Sequence, residues 1–321
     1  MKKLILALAA TVVLGAYVPS ANAAKIAVVG GKADDLFFNK IKKGMDDACL
    51  AVKANGGSCN YLALQSYDNL GADAAQLVRT AISQGVDGIA IEDWVPEAED
   101  PAIKEAIAKG IKVILINAGN GDKAKELGAI NYVGNDEYQA GLAAGANYAK
   151  NGQKNIICIN TVPGAANLEA RCKGVIDAAT KGGAKAAQLP LPASSFGDPT
   201  AVAEAIKATL LKDPSIDGAI TISAGDADSA AIGIGQANAG AKVKLGSFDL
   251  NKAGLARIKA GAQAFAIDQQ PYLQAYLASS LLASAIDFGT SLPTFPVLTG
   301  PGIVDSSNID ATLAGVAKGA R

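Results

Sequence analysis

The sequence predicts an α/β fold built as two lobes with parallel sheets. Short apolar runs alternate with helical patterns through the body of the chain, and such alternation places helices over parallel strands. The runs are almost uninterrupted rather than alternating in polarity, as expected of strands buried on both faces. About ten of them can be counted, more than one ordinary doubly wound sheet uses, so they divide into two similar halves.

The chain opens with a basic pair, Lys2 and Lys3, an apolar stretch, Leu4–Tyr17, and Ala21-Asn22-Ala23, a small-residue cleavage site. The apolar stretch is shorter than the ~20 residues a membrane span needs. Residues 1–23 therefore read as a signal peptide removed after Ala23, which implies an exported protein in the periplasm. Of 29 basic and 30 acidic residues, two basic ones leave with this segment, for a net charge near −3. No basic run argues for nucleic acid.

Ile26–Val29 reads as the first strand, and Gly30-Gly31 ends it. Phe37, Ile41 and Met45 then recur at helical spacing. Open parallel sheets bind ligands at the carboxyl ends of their strands. The loop between places Asp34, Asp35, Phe37 and Phe38 near such a crevice. Carboxylates accept hydroxyl protons and aromatic faces cover C–H surface, a pairing that suits a sugar better than a phosphate. Further strands are expected at Tyr61–Leu64, Gly88–Ile91, Val113–Ile116, Ile156–Ile159, Gly218–Ile222, Val243–Leu245 and Ala264–Ile267. Helices are expected at Asp73–Gln84, Ala102–Lys109 and Thr200–Leu211, with Gly85, Gly110 and Gly128 at helix C-termini. Tyr132–Tyr138, Ile267–Tyr272 and the Pro-rich Ser291–Pro301 read as three crossings between the halves. The expected lobes are 24–134 plus 269–292 and 135–268 plus 293–321.

The chain has no histidine. The commonest general base and the commonest zinc ligand are missing, and with them the usual Ser-His-Asp and Cys-His mechanisms. The four cysteines fall in close pairs, Cys49/Cys59 and Cys158/Cys172, each across one helix–strand junction. In an exported protein they are expected as disulfides. Gly233-Ile234-Gly235 sits inside an expected helix and is no dinucleotide fingerprint. The acids of Glu92–Asp93 and Glu97–Asp100 lack calcium-loop spacing and read as solvated loop charge. Asn167 and Arg171 share a helix face four residues apart. Asn117, Asp226 and Asp249 lie at or just beyond carboxyl strand ends, where ligands are held.

IAVVGGKADDLFFNKIKKG, QGVDGIAI, AIAKGIKVILIN, GNDEYQAG, NLEARCKG, LGSFD and FAIDQQPYLQAYL occur in this order after the export signal. The series resembles the periplasmic sugar-binding proteins of ABC importers, nearest to the ribose-binding-like type I group, over essentially the whole mature chain. That resemblance implies two Rossmann-like lobes, a three-strand hinge, a monosaccharide or polyol clamped between the lobes, and delivery to a permease in the inner membrane. It implies no cofactor and no metal. A monomer is expected, and a chemoreceptor is the alternative partner. Position by position, it implies Asp35 as first-loop ligand, Phe37 and Phe38 as stacking aromatics, and Asn117 where an Asp often grips ring hydroxyls. In the second lobe it implies Arg171 with its neighbour Asn167, Phe196 as the opposing aromatic, and Asp226, Asp249 and Gln269 as hydroxyl ligands. Arg171 is expected to donate two hydrogen bonds to ligand from outside the core. Ala118 stands where an Arg often follows, and Leu36 where Pro is usual, so ribose itself is not implied. An enzyme would have to use Asp35 with Asp249. A LacI-like repressor would need a helix-turn-helix in place of the export signal.

Overall fold

The computed structural model describes residues 23–319 and 321; the expected signal peptide lies, but for Ala23, outside the described residues. The first lobe runs β1 (Lys25–Gly30), α1 (Leu36–Ala54), β2 (Ser58–Ala63), α2 (Leu70–Ser83), β3 (Gly88–Ile91), α3 (Pro96–Ala108), β4 (Lys112–Ile116), α4 (Gly121–Leu127) and β5 (Asn131–Asn135). The second runs α5 (Glu137–Lys150), β6 (Asn155–Asn160), α6 (Ala166–Lys181), β7 (Lys185–Pro190), α7 (Pro199–Lys212), β8 (Gly218–Thr221), α8 (Ala224–Gln236), β9 (Lys244–Phe248), α9 (Lys252–Lys259) and β10 (Phe265–Asp268). The chain then returns through α10 (Pro271–Asp287) and β11 (Val297–Gly300), and ends with β12 (Gly302–Val304) and α11 (Ile309–Val316).

The first sheet has the order β11-β5-β4-β3-β1-β2, all parallel; the second has β12-β10-β9-β8-β6-β7, with only β12 antiparallel. Ile26, Ala27, Val28 and Val29 are buried on both faces of β1, as are the four residues of β3. Each sheet reverses its winding between its first and third strands, β1/β3 and β6/β8. Ligand crevices of doubly wound sheets open at this switch point, beyond the carboxyl ends of the strands. The loops after β1, β3, β6 and β8 are therefore the ones placed to make a site.

Three segments cross between the sheets, at Asn135–Glu137, Asp268–Pro271 and Gly300–Gly302. They touch. Thr299 Oγ1 donates to the Gln269 carbonyl at 2.7 Å, and Gln270 Nε2 donates to the Thr299 carbonyl at 2.5 Å. A Cβ on Gly300 would come within 2.9 Å of both Asn135 Oδ1 and the Asp268 carbonyl, so only glycine lets the crossings lie side by side. The third crossing differs from the sequence expectation of a boundary between 292 and 293. Val297–Gly300 pairs with β5 in the first sheet, so the chain leaves that lobe at Pro301.

β7 escapes the sequence reading because Lys185, Ala186, Ala187 and Gln188 form no apolar run; an edge strand with a half-exposed face does not need one. Among the described residues no helix is long and apolar enough to cross a membrane. Both disulfides are present: Cys49 of α1 bonds Cys59 of β2, and Cys158 of β6 bonds Cys172 of α6. Each ties a helix to the neighbouring strand of one unit. Intact mass of the unreduced protein should therefore lie four hydrogens below the reduced mass. Reduction should cost roughly 3 kcal/mol of stability per bridge in the chain-entropy model. Four thiols that alkylate without prior reduction would contradict this.

Candidate ligand-binding site

The loops after β1 and β3 in the first lobe face those after β6 and β8 in the second, and together with the segments after β2, β4, β7, β9 and β10 they enclose a cavity. Nine of the ten sequence-predicted ligand residues line it: Asp35, Phe37, Phe38, Asn117, Asn167, Arg171, Phe196, Asp249 and Gln269. The tenth, Asp226, lines an adjoining chamber instead. Tyr67 and Trp94 complete the inner walls and were not singled out from sequence.

The first loop shows why its residues occur together. Asp35 caps α1 by accepting from the Phe37 amide at 2.9 Å. Its other oxygen accepts from the Tyr67 hydroxyl at 2.8 Å. Phe37, Phe38 and Trp94 meet edge to face, with centroids 5.1 and 6.1 Å apart. A Cβ on Gly31 would fall 2.3 Å from the Phe38 ring and 2.4 Å from the Tyr67 hydroxyl, so the second glycine is what lets both side chains close over the loop. Across the cleft, Phe196 and Tyr67 meet in a T-shaped pair with centroids 5.0 Å apart.

Arg171 is buried and almost fully engaged. Nε and Nη2 clasp Glu137 at 2.6 and 3.1 Å, Nη2 also donates to Gln269 Oε1 at 2.8 Å, and Nη1 donates to the Ile222 carbonyl at 2.9 Å. Its guanidinium lies 4.6 Å over the Phe248 ring. Of five N–H groups, this leaves one without a partner among the described residues. The expectation of two hydrogen bonds to ligand from a residue outside the core is corrected here: Glu137 takes those donors, and Arg171 is 2% exposed. Gln269 carries the network onward, donating to Asp249 Oδ1 at 2.5 Å. Burial pushes Asp249 up to about 7, although Arg171 pulls it down. Burial likewise raises Asp35 and takes Glu92 well above the usual carboxylate range.

A second correction concerns the acids after β3. Glu92, Asp93 and Glu99 are not solvated loop charge; all three are 0% exposed. Glu92 Oε2 accepts from Asn117 Nδ2 at 2.5 Å, directly behind the cavity wall. The signal for Glu92 was its place at a carboxyl strand end, the same signal that marked Asn117 and Asp249.

Of the buried acceptors without partners among the described residues, two belong to residues that line the cavity. Asn117 Oδ1 belongs to the first lobe and Asn167 Oδ1 to the second, and both residues line the cavity. Asp226 differs: its Oδ2 accepts from Thr161 at 2.8 Å and Ser223 at 2.9 Å, which turns it toward the second chamber. Burial pushes it up to about 6.

A family model described as periplasmic binding protein domain matches residues 26–291. The chain belongs to this family. Its sequence is 26% identical to the xylose/arabinose-binding protein XylF of Sulfolobus acidocaldarius, over 92% of this chain and 74% of that protein. A carbohydrate transporter from Acidothermus cellulolyticus, solved with myo-inositol, is 36% identical with a TM-score of 0.83, covering 93% of this chain and 99% of that one. An ABC-transporter solute-binding protein from Burkholderia graminis, solved with D-arabinose, is 25% identical with a TM-score of 0.78, covering 90% and 97%. The two-lobed architecture is that of the type I periplasmic binding proteins.

Because Arg171 pairs with a buried carboxylate, Arg171→Ala should destabilise the unliganded protein by about 3–5 kcal/mol. Arg171→Ala with Glu137→Gln should recover part of that loss, since no buried charge is then left alone. Denaturant titration of the two variants checks this; an unchanged midpoint for Arg171→Ala would contradict the pairing.

Proposed function

We propose that this protein captures a neutral monosaccharide or cyclic polyol between its lobes and delivers it to an inner-membrane ABC permease, acting as an exported periplasmic monomer without turning its ligand over. The observation that carries this reading is the pair of buried, unpartnered acceptors, Asn117 Oδ1 and Asn167 Oδ1, set on opposite lobes of an aromatic-walled cavity. An unmet buried acceptor costs about 1–3 kcal/mol, and ligand hydroxyls are donors that can satisfy both only when the lobes are together. Phe37, Phe38, Trp94 and Phe196 offer apolar faces for the C–H surface of a ring. Ligand thereby favours the closed arrangement, and closure is the signal a permease can read.

Thermal-shift screening against pentoses, hexoses and cyclitols, beginning with D-xylose, L- and D-arabinose and myo-inositol, tests the reading. A ligand at a hundred times its Kd adds about 2.7 kcal/mol of stability. No shift with any member of the panel would overturn it, and product in excess of protein by NMR would overturn the absence of turnover.

Asp249 is expected to accept ligand hydroxyls through its free oxygen. Asp249→Ala should weaken binding by roughly ten- to several-hundred-fold, with Lys181→Ala, an exposed control, unchanged. Acceptance needs the carboxylate, and burial holds this group near 7. Wild-type affinity should therefore rise with pH through about 7 and be about tenfold weaker at pH 6 than on the alkaline plateau, while Asp249→Asn should show a flatter profile. Calorimetric titration across pH decides it; equal slopes for both proteins would remove Asp249 from the role.

A further inference from the structure

The space between the lobes does not end at the cavity around Arg171. A second chamber adjoins it, walled by Leu36, Val202, Gly225, Asp226, Ser229 and Leu250. The two share Asp35, Phe37, Phe196, Ser223 and Asp249, so they meet along a common boundary rather than lying on separate faces. The inner cavity measures about 70 Å³ and the outer chamber about 180 Å³. A ligand confined to the inner cavity would leave the larger space to water, against walls that are mostly apolar and gain from being covered.

The outer chamber also has a polar anchor. Asp226 is 4% exposed. Thr161 and Ser223 hold its Oδ2, and its Oδ1 has no hydrogen-bond partner among the described residues. A buried carboxylate fixed by one oxygen and free at the other is placed to accept a hydroxyl from whatever fills the chamber.

We infer that the ligand is a linked compound, a polyol or sugar ring in the inner cavity carrying a glycosidically attached second sugar ring in the outer chamber, with a hydroxyl of the second ring on Asp226. The inference rests on the polyol reading of the inner cavity. It sets a substrate class, disaccharides and glycosyl polyols, above the free single ring.

The chamber can be closed without touching the inner cavity. Gly225 lies in the first turn of α8 and lines only the outer chamber. A Cβ there would meet nothing nearer than Ser223 Oγ at 3.9 Å, so larger side chains have room to enter the chamber. Calorimetric titration of wild type, Gly225→Ala and Gly225→Leu would compare D-xylose with xylobiose, D-glucose with cellobiose, and myo-inositol with galactosyl-myo-inositol. At least one linked compound should bind wild type about tenfold or more tighter than its free ring. Gly225→Leu should erase that gain, Gly225→Ala should diminish it less, and free-ring affinity should stay within about twofold. Free rings that bind as tightly as every linked compound would overturn the inference and leave the polyol reading standing; binding by neither class would overturn both. A uniform loss in Gly225→Leu for free and linked rings would also overturn it. Where Gly225→Leu fails to fold, the wild-type comparison of linked and free rings decides alone.

Discussion

The buried pair of Arg171 and Glu137 is the interaction on which the rest of the cleft depends. Removing two charges from water costs several kcal/mol per ion, and only close geometry with further hydrogen bonds offsets it. Here the offset comes from parts of the chain far apart in sequence: Glu137 opens α5 at the end of the first crossing, Arg171 lies in α6, Gln269 is in the second crossing, and Ile222 follows β8. None of these can shift far without exposing an unpaired buried group. The pair thus couples the hinge to the cavity wall. It also fixes Gln269, whose amide then fixes one oxygen of Asp249 and leaves the other for ligand. A side chain that reads from sequence as a ligand is in the structure mainly the post that holds other ligands in place.

Away from the hinge, hydrogen bonds between the lobes are few among the described residues. The Trp94 carbonyl accepts from the Ala166 amide at 2.8 Å, Tyr67 meets Phe196, and Lys40 Nζ reaches the Leu250 carbonyl at 3.4 Å. One backbone hydrogen bond contributes about 1 kcal/mol net. Direct contacts of this size do not by themselves hold two lobes shut, so a ligand that bridges Asn117 and Asn167 can shift the balance. This is what a capture-and-release protein needs, because a cleft sealed by its own contacts would gain nothing from binding.

Much of the fold is legible in the sequence because β1, β3, β4, β6 and β8 are uninterrupted apolar runs that no surface strand would need. Loops and crossings are harder. β5 carries Asn131, whose side chain donates to the Thr294 carbonyl ahead of β11, and Asn135, whose side chain reaches Glu137 in the first crossing, and it reads as a polar boundary. β11 and β12 lie in a Pro-rich stretch where pairing partners, not composition, make the strands. At the site, position at a carboxyl strand end found Asp35, Asn117 and Asp249. The same rule would have marked Glu92, which was instead read with its acidic neighbours as solvated loop charge, since composition cannot show that a loop turns inward. Trp94 and Tyr67 carry no spacing signal; they reach the cavity from the loops after β3 and β2, the strands on either side of β1.

The backbone records the same division between holding and binding. Among the described residues, four non-glycine residues have positive φ, and three of them lie at the cleft or hinge: Asn117 at 50°, Asp249 at 66° and Gln270 at 56°. Such conformations cost of order 1–3 kcal/mol each and persist where surroundings over-determine them. Asn117 is held by Glu92 and by the Tyr132 hydroxyl, 2.9 Å from its carbonyl. Asp249 is held by Gln269 and by its amide on the Ile267 carbonyl, and Gln270 by Asp268 and Thr299. Each strained residue ends a strand or begins a crossing, so the strain turns the chain sharply where the two lobes must face one another. The buried acids behind Asn117 and the ion pair behind Asp249 are thus one arrangement. They spend stability on fixing two polar groups, one from each lobe, at the wall of one cavity.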